Sequence, residues 1–215
     1  MITCFDWVKY ERERRRHIKY YSRFMRWSVS TGSRAFNIVC SSNALIRFSN
    51  DQAFSKQEIY VLSHVEEHAF MVNVILRSLT PSMLFVEHGW PEIPWSFESG
   101  QSWRSQQRRQ LLQEEVREVR LKGFTGGLVL TPPYVAFINA FIDYPLLEKR
   151  QCLLLFGYVE RVPLVIRLNH HLSVDFISTD ECLLDQIRAL LKSLGLRQRQ
   201  DFPTVFCRAD QTRWA

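Results

Sequence analysis

The chain has 215 residues, 46% hydrophobic and 13% aromatic, enough to build a core and to exclude a disordered chain. Its formal charge of +6, carried mostly by arginine, suits flat bidentate contacts to phosphate or carboxylate and admits an anionic partner, although a merely basic surface gives the same balance. Five cysteines stand singly with no CxxC pair, no apolar run approaches a membrane span, and the N-terminus lacks an apolar leader core, so a reduced, cytoplasmic protein is expected.

In chain order, residues from about Asp6 to Trp27 predict a basic helix. One face would carry Phe5, Val8, Ile18, Tyr21, Phe24 and Met25, and the other Arg12, Arg14, Arg15, Arg16, Lys19 and Arg23. Aromatics interleaved with arginine can clamp nucleic acid by phosphate contact and stacking. An amphipathic surface helix, with Glu11 and Glu13 partly neutralising the run, explains the same pattern. After a turn at Ser30–Arg34, AFNIVCSS and ALIRFS predict two short strands. A helix from about Lys56 to Leu79 follows, with Ile59, Leu62, Val65, Ala69, Val72, Ile75 and Leu76 on its apolar side, and it stops at Thr80-Pro81.

That helix contains His64, Glu67 and His68 in the order H-x-x-E-H. Two histidines one turn apart can hold zinc, and the glutamate can act as general base. The motif is short, a third ligand is needed, and Glu87 or His88 would have to supply it. An exposed polar stripe on a core-packing helix is the simpler account.

Met83–Val86 predicts a strand, followed by a loop rich in tryptophan and proline from Trp90 to Trp95. A helix from about Trp103 to Lys122 places Leu111, Leu112, Val116, Val119 and Leu121 on one stripe, with Arg104, Arg108, Arg109, Glu114, Arg117 and Glu118 toward water. Gly123 caps it, Gly126 and Gly127 turn the chain, and two strands interrupted at Pro132-Pro133 are expected as far as Tyr144. The segment from Leu146 to Leu168 reads either as a broken helix or as two strands around Tyr158–Arg161, because its apolar run does not alternate. Ser178 or Thr179 is expected to cap a helix over Asp180–Leu194, closed by Gly195, and about 196–215 reads as a basic tail with at most one short strand.

Between about Leu62 and Pro145 the chain resembles the ligand-binding half of the LuxR-type quorum-sensing regulators. The points of likeness are the apolar helix ending at Pro81, Trp95 beyond a loop, Gly123 with Gly127 at a helix end, and strands over Leu128–Thr131 and Val135–Asp143. The resemblance implies that Trp95 projects into a pocket and donates its indole N–H to a lactone-like carbonyl. Thr80 stands where that family carries a ligand-binding aspartate, and the C-terminal region shows no helix-turn-helix of that family.

The fold expected is α/β or α+β, a single domain over 1–215 with a central, mostly antiparallel sheet flanked by amphipathic helices. The function expected is a non-enzymatic regulator or sensor that binds a small apolar ligand or a partner protein, with nucleic-acid contact on its basic face and room for a homodimer. Trp90, Trp95 and Trp103, with Tyr134 and Phe137 opposite, would line the pocket, and no cofactor is called for. The alternatives are a nucleic-acid-binding or scaffold subunit of a larger assembly, and a zinc hydrolase using His64, Glu67 and His68.

Overall fold

The structure, a computed structural model, describes residues 1–17, 35–38, 56–88, 94–95, 103–115, 124–148, 152–169, 174–198 and 205–208. Its fold is α+β. In chain order the elements are β1 (Ile2–Asp6), α1 (Trp7–His17), β2 (Ala35–Ile38), α2 (Lys56–Leu79), β3 (Leu84–Glu87), α3 (Trp103–Glu115) and β4 (Gly126–Leu130). Then come α4 (Val135–Phe141), α5 (Tyr144–Leu147), β5 (Cys152–Val159), β6 (Val162–Asn169), β7 (Val174–Ile177), α6 (Glu181–Ser193), β8 (Leu196–Gln198) and β9 (Val205–Arg208). The described strands form one sheet in the order β1-β4-β3-β5-β6-β7-β2-β9-β8. Each neighbouring pair is antiparallel except β2 with β9. Strand β2 is the described part of AFNIVCSS, and ALIRFS lies outside the described residues.

The sheet has two apolar faces, and this explains the least readable part of the sequence. Leu153, Leu155, Leu164, Ile166 and Leu168 join the large core with residues of α2, α4, α5 and α6. Leu154, Phe156 and Val165 point the other way, into a second cluster with Phe85, Val129, Ile177 and Tyr10 of α1. A strand buried on both faces loses the apolar–polar alternation that would mark it. The stretch from Leu146 to Leu168 therefore resolves into the short helix α5 and a β5–β6 hairpin, with Glu160 at its turn in a left-handed conformation (φ 56°).

Helix α2 has the bounds expected for it, and Thr80 terminates it at φ 47° while donating its N–H to the Leu76 carbonyl at 2.9 Å. Four other expectations are corrected. The stretch that begins at Val135 is a helix, α4, and not a strand. Phe137, Ile138, Ala140 and Phe141 are buried while Ala136 and Asn139 are exposed, a helical spacing that outweighs the β-propensity of Val, Ile and Phe. Strand β1 precedes α1, and of the face expected to be apolar only Phe5, which packs on the second cluster, and Val8 are described, while Ile18, Tyr21, Phe24 and Met25 lie outside the described residues. Val8 is 67% exposed, and the buried residues are Tyr10 and Arg14. Arg108 is wholly buried rather than facing water. The last segment contributes two strands, β8 and β9, rather than a tail with at most one.

The cap of α6 is also corrected. Asp180, not Ser178 or Thr179, accepts the Leu183 N–H, at 2.9 Å. Ser178 instead donates its hydroxyl to the Pro163 carbonyl at 2.7 Å and accepts the Asp180 N–H at 3.1 Å. Gly195, at φ 83°, follows the helix as expected. Replacing Asp180 by alanine should cost about 1 kcal/mol, read as a lower urea midpoint with an unchanged slope. A midpoint equal to that of the unaltered protein would show that the cap contributes nothing.

Candidate functional site

Helix α1 is docked by three side chains on one side. Tyr10 is fully buried, stacks on Trp7 with ring centroids 5.5 Å apart, and meets Phe85 edge-on at 5.9 Å. Its ring lies against Gly127 of β4, where any Cβ would fall 2.2 Å from ring carbons. Gly127 is thus a socket for an aromatic ring, a role that its place beside Gly126 in the sequence does not suggest. One turn further along, Arg14 Nη1 donates to Glu87 Oε1 at 2.6 Å, both groups being buried. The Arg14 guanidinium also lies 5.5 Å and 5.8 Å from the Trp7 and Tyr10 ring centres, a cation–π contact in a dry setting.

The opposite side of α1 is cationic. Lys9, Arg12, Arg15 and Arg16 are exposed, and Val8, Glu11, Arg12, Arg15 and Arg16 line a shallow groove of about 450 Å³. Arg15 pairs with Glu11, and Arg16 pairs with Glu13 at 2.7 Å. These are exposed pairs, worth little in water and readily exchanged for another anion. Of the six basic residues expected to form one nucleic-acid face, Arg12, Arg15 and Arg16 are outward, Arg14 is turned inward, and Lys19 and Arg23 lie outside the described residues.

A second polar cluster has no signal in the sequence. Arg108 of α3 donates Nε to the Ala140 carbonyl at 2.8 Å, binds Asp143 through Nη2, and has Nη1 3.6 Å from Glu148. Asp143 sits at the N-cap of α5, yet its carboxylate makes no cap bond and serves Arg108 instead. The Arg108 guanidinium lies 5.7 Å from the Tyr144 ring centre. This arrangement neutralises a buried cation and ties α3 to the α4–α5 junction. Along the sheet, Arg167 holds Asp175 through Nε and Nη2 at 2.6 and 2.5 Å, and Asn169 donates to the same oxygen at 3.0 Å. Cys152 lies near this pair. Burial raises its thiol pKa, the Arg167 charge opposes that shift, and Asp175 adds to it. The Cys4 thiol is pushed up to about 12 by burial.

The residues expected to line a pocket are placed as follows. Trp95, Tyr134 and Phe137 join one core cluster. Trp95 donates its indole N–H to the Gly126 carbonyl at 3.0 Å and its backbone N–H to the Phe124 carbonyl at 2.8 Å, pinning the entry to β4. Its ring meets His88 edge-on at 4.7 Å and lies 5.3 Å from Tyr144 and 6.1 Å from Phe141, which stacks on Phe137. Tyr134 donates its hydroxyl to the Pro81 carbonyl at 2.5 Å, joining the end of α2 to the start of α4, and burial raises its pKa. Trp90 and the side chain of Trp103 lie outside the described residues.

For the zinc alternative, His68 is buried rather than part of an exposed stripe, while the side chains of His64 and Glu67 are outside the described set. Glu87 is engaged by Arg14, and His88 packs on Trp95. Among the described residues no group of three His, Cys, Asp or Glu side chains is placed to hold a metal. No described helix is long and apolar enough to cross a membrane. Comparison with family models, curated proteins and solved structures finds no match for the chain.

Proposed function

We propose that this is a non-enzymatic regulatory protein that contacts a polyanion, a nucleic-acid backbone, through the outward face of α1. One observation carries the reading: Arg14 is turned inward as an anchor, so the helix is held in one orientation with Arg12, Arg15 and Arg16 directed to solvent. Cations fixed on a rigid helix contact phosphates with less ordering cost than cations on a loose segment. The described face of α1 presents no exposed Trp, Tyr or Phe ring, so its contact would be to phosphate and would not read sequence. A cytoplasmic location is part of the proposal, supported by Cys4, Cys152 and Cys182, which are free thiols.

The expectation of a small apolar ligand at Trp95 is less well supported, because its indole N–H would have to leave the Gly126 carbonyl to reach a ligand. The test is binding of a DNA or RNA oligonucleotide across a salt series. Each phosphate contact contributes about 0.9 to the slope of log affinity against log salt, so replacing Arg12, Arg15 and Arg16 together by alanine should flatten that slope by about 3. A slope unmoved by the substitutions would place the contact elsewhere or remove it.

A further inference from the structure

We infer that Glu87, a buried acid, is a positioning residue for the polyanion-contacting face of α1, an inference that rests on the reading above. Nothing in the sequence associates Glu87 with that helix, from which it is separated by α2 and the segments between. The geometry does. Glu87 ends β3 and reaches Arg14 at 2.6 Å, both side chains nearly excluded from water. A second carboxylate near Arg14 is that of Glu11, 3.9 Å away on the same helix and one-third exposed. Glu11 moves with α1 and cannot fix the helix against the sheet, whereas Glu87 can. The guanidinium lies beside the stacked rings of Trp7 and Tyr10, and Glu87 matches its charge from the sheet. Without Glu87, Arg14 is drawn toward Glu11 and solvent, α1 rolls on the sheet, and Arg12, Arg15 and Arg16 lose their common direction.

This makes a prediction opposite in sign to simple electrostatics. Removing an acid beside a cationic surface ordinarily tightens polyanion binding. Glu87→Gln should instead weaken oligonucleotide binding by about tenfold, because a preorganised surface has become mobile. The full chain is used, with fluorescence anisotropy for affinity and hydrogen exchange for the α1 amides in the free protein. Exchange in α1 should rise while that in β5 and β6 is unchanged. The control is the double substitution Arg14→Met with Glu87→Leu, which removes the charge pair but keeps the packing. Apolar replacement of a buried ion pair is commonly tolerated, so α1 protection should return and affinity should come within about threefold of the unaltered protein.

Affinity that is equal or tighter in Glu87→Gln overturns the inference, as does unchanged α1 exchange, or a double variant that stays as weak as the single one. An unaltered protein that binds no oligonucleotide at low salt overturns the polyanion reading alone, and the exchange measurement still decides whether Glu87 fixes α1.

Discussion

Replacement of Arg108 by alanine is expected to cost about 3–5 kcal/mol, the largest loss at any described charged residue. The reason is the company it keeps. Arg108, Asp143 and Glu148 are all buried, so removing the cation takes from two acids in a dry site the charge that Arg108 supplies. The Ala140 carbonyl also loses its donor at the end of α4. A domain whose total stability is about 5–15 kcal/mol would give up a large share of it. Urea unfolding measures the loss directly, and Arg109→Ala is the matched control. Arg109 is the next residue along α3 and is exposed, so its removal should change stability by less than about 0.5 kcal/mol. A loss below about 1 kcal/mol at Arg108 would show that water or a shifted side chain replaces the guanidinium readily.

Arg108 also shows where the sequence stops being legible. On a helix drawn from its hydrophobic pattern, an arginine beside Arg109 is assigned to solvent, and α3 offers no local signal to the contrary. The acids that hold it are 35 and 40 positions away in number, on a junction whose own helix reads as a strand in the sequence. Arg14 escapes the pattern for the same reason, since Glu87 on β3 is 73 positions away in number. The elements with strong local signals are readable: α2 through its period and its Thr80-Pro81 stop, α6 through its apolar stripe and Gly195. Strands buried on both faces and ion pairs closed by tertiary contact are set by the fold as a whole. Trp95, Tyr134 and Phe137 are grouped as pocket residues from their aromatic type and, for Trp95, from the resemblance. They belong to one large core, and the indole N–H of Trp95 and the hydroxyl of Tyr134 are both bonded within the chain.

Gly127 supports the second large expectation. A methyl group at this position would meet three carbons of the Tyr10 ring at 2.2–2.4 Å, far inside contact distance. The ring is fully buried between Trp7, Phe85 and β4, so it cannot swing aside as a flexible side chain could. Gly127→Ala should therefore destabilise by about 1–3 kcal/mol, the cost of overpacking a filled core. The sign is informative, because alanine is otherwise favoured over glycine within regular elements, where glycine forfeits more chain entropy on folding. The loss should be local to α1. Its amide exchange should quicken and its oligonucleotide affinity should fall, with the β5–β6 hairpin unaffected. A double-mutant cycle isolates the clash: with Tyr10→Ala already in place the slot is open, and adding Gly127→Ala should then cost almost nothing. Additive losses in that cycle would mean that Gly127 is required by the backbone of β4 and not by the ring of α1. Coupling of about 1 kcal/mol or more, on the order expected for residues in direct contact, would make Gly127 the seat on which the cationic helix rests.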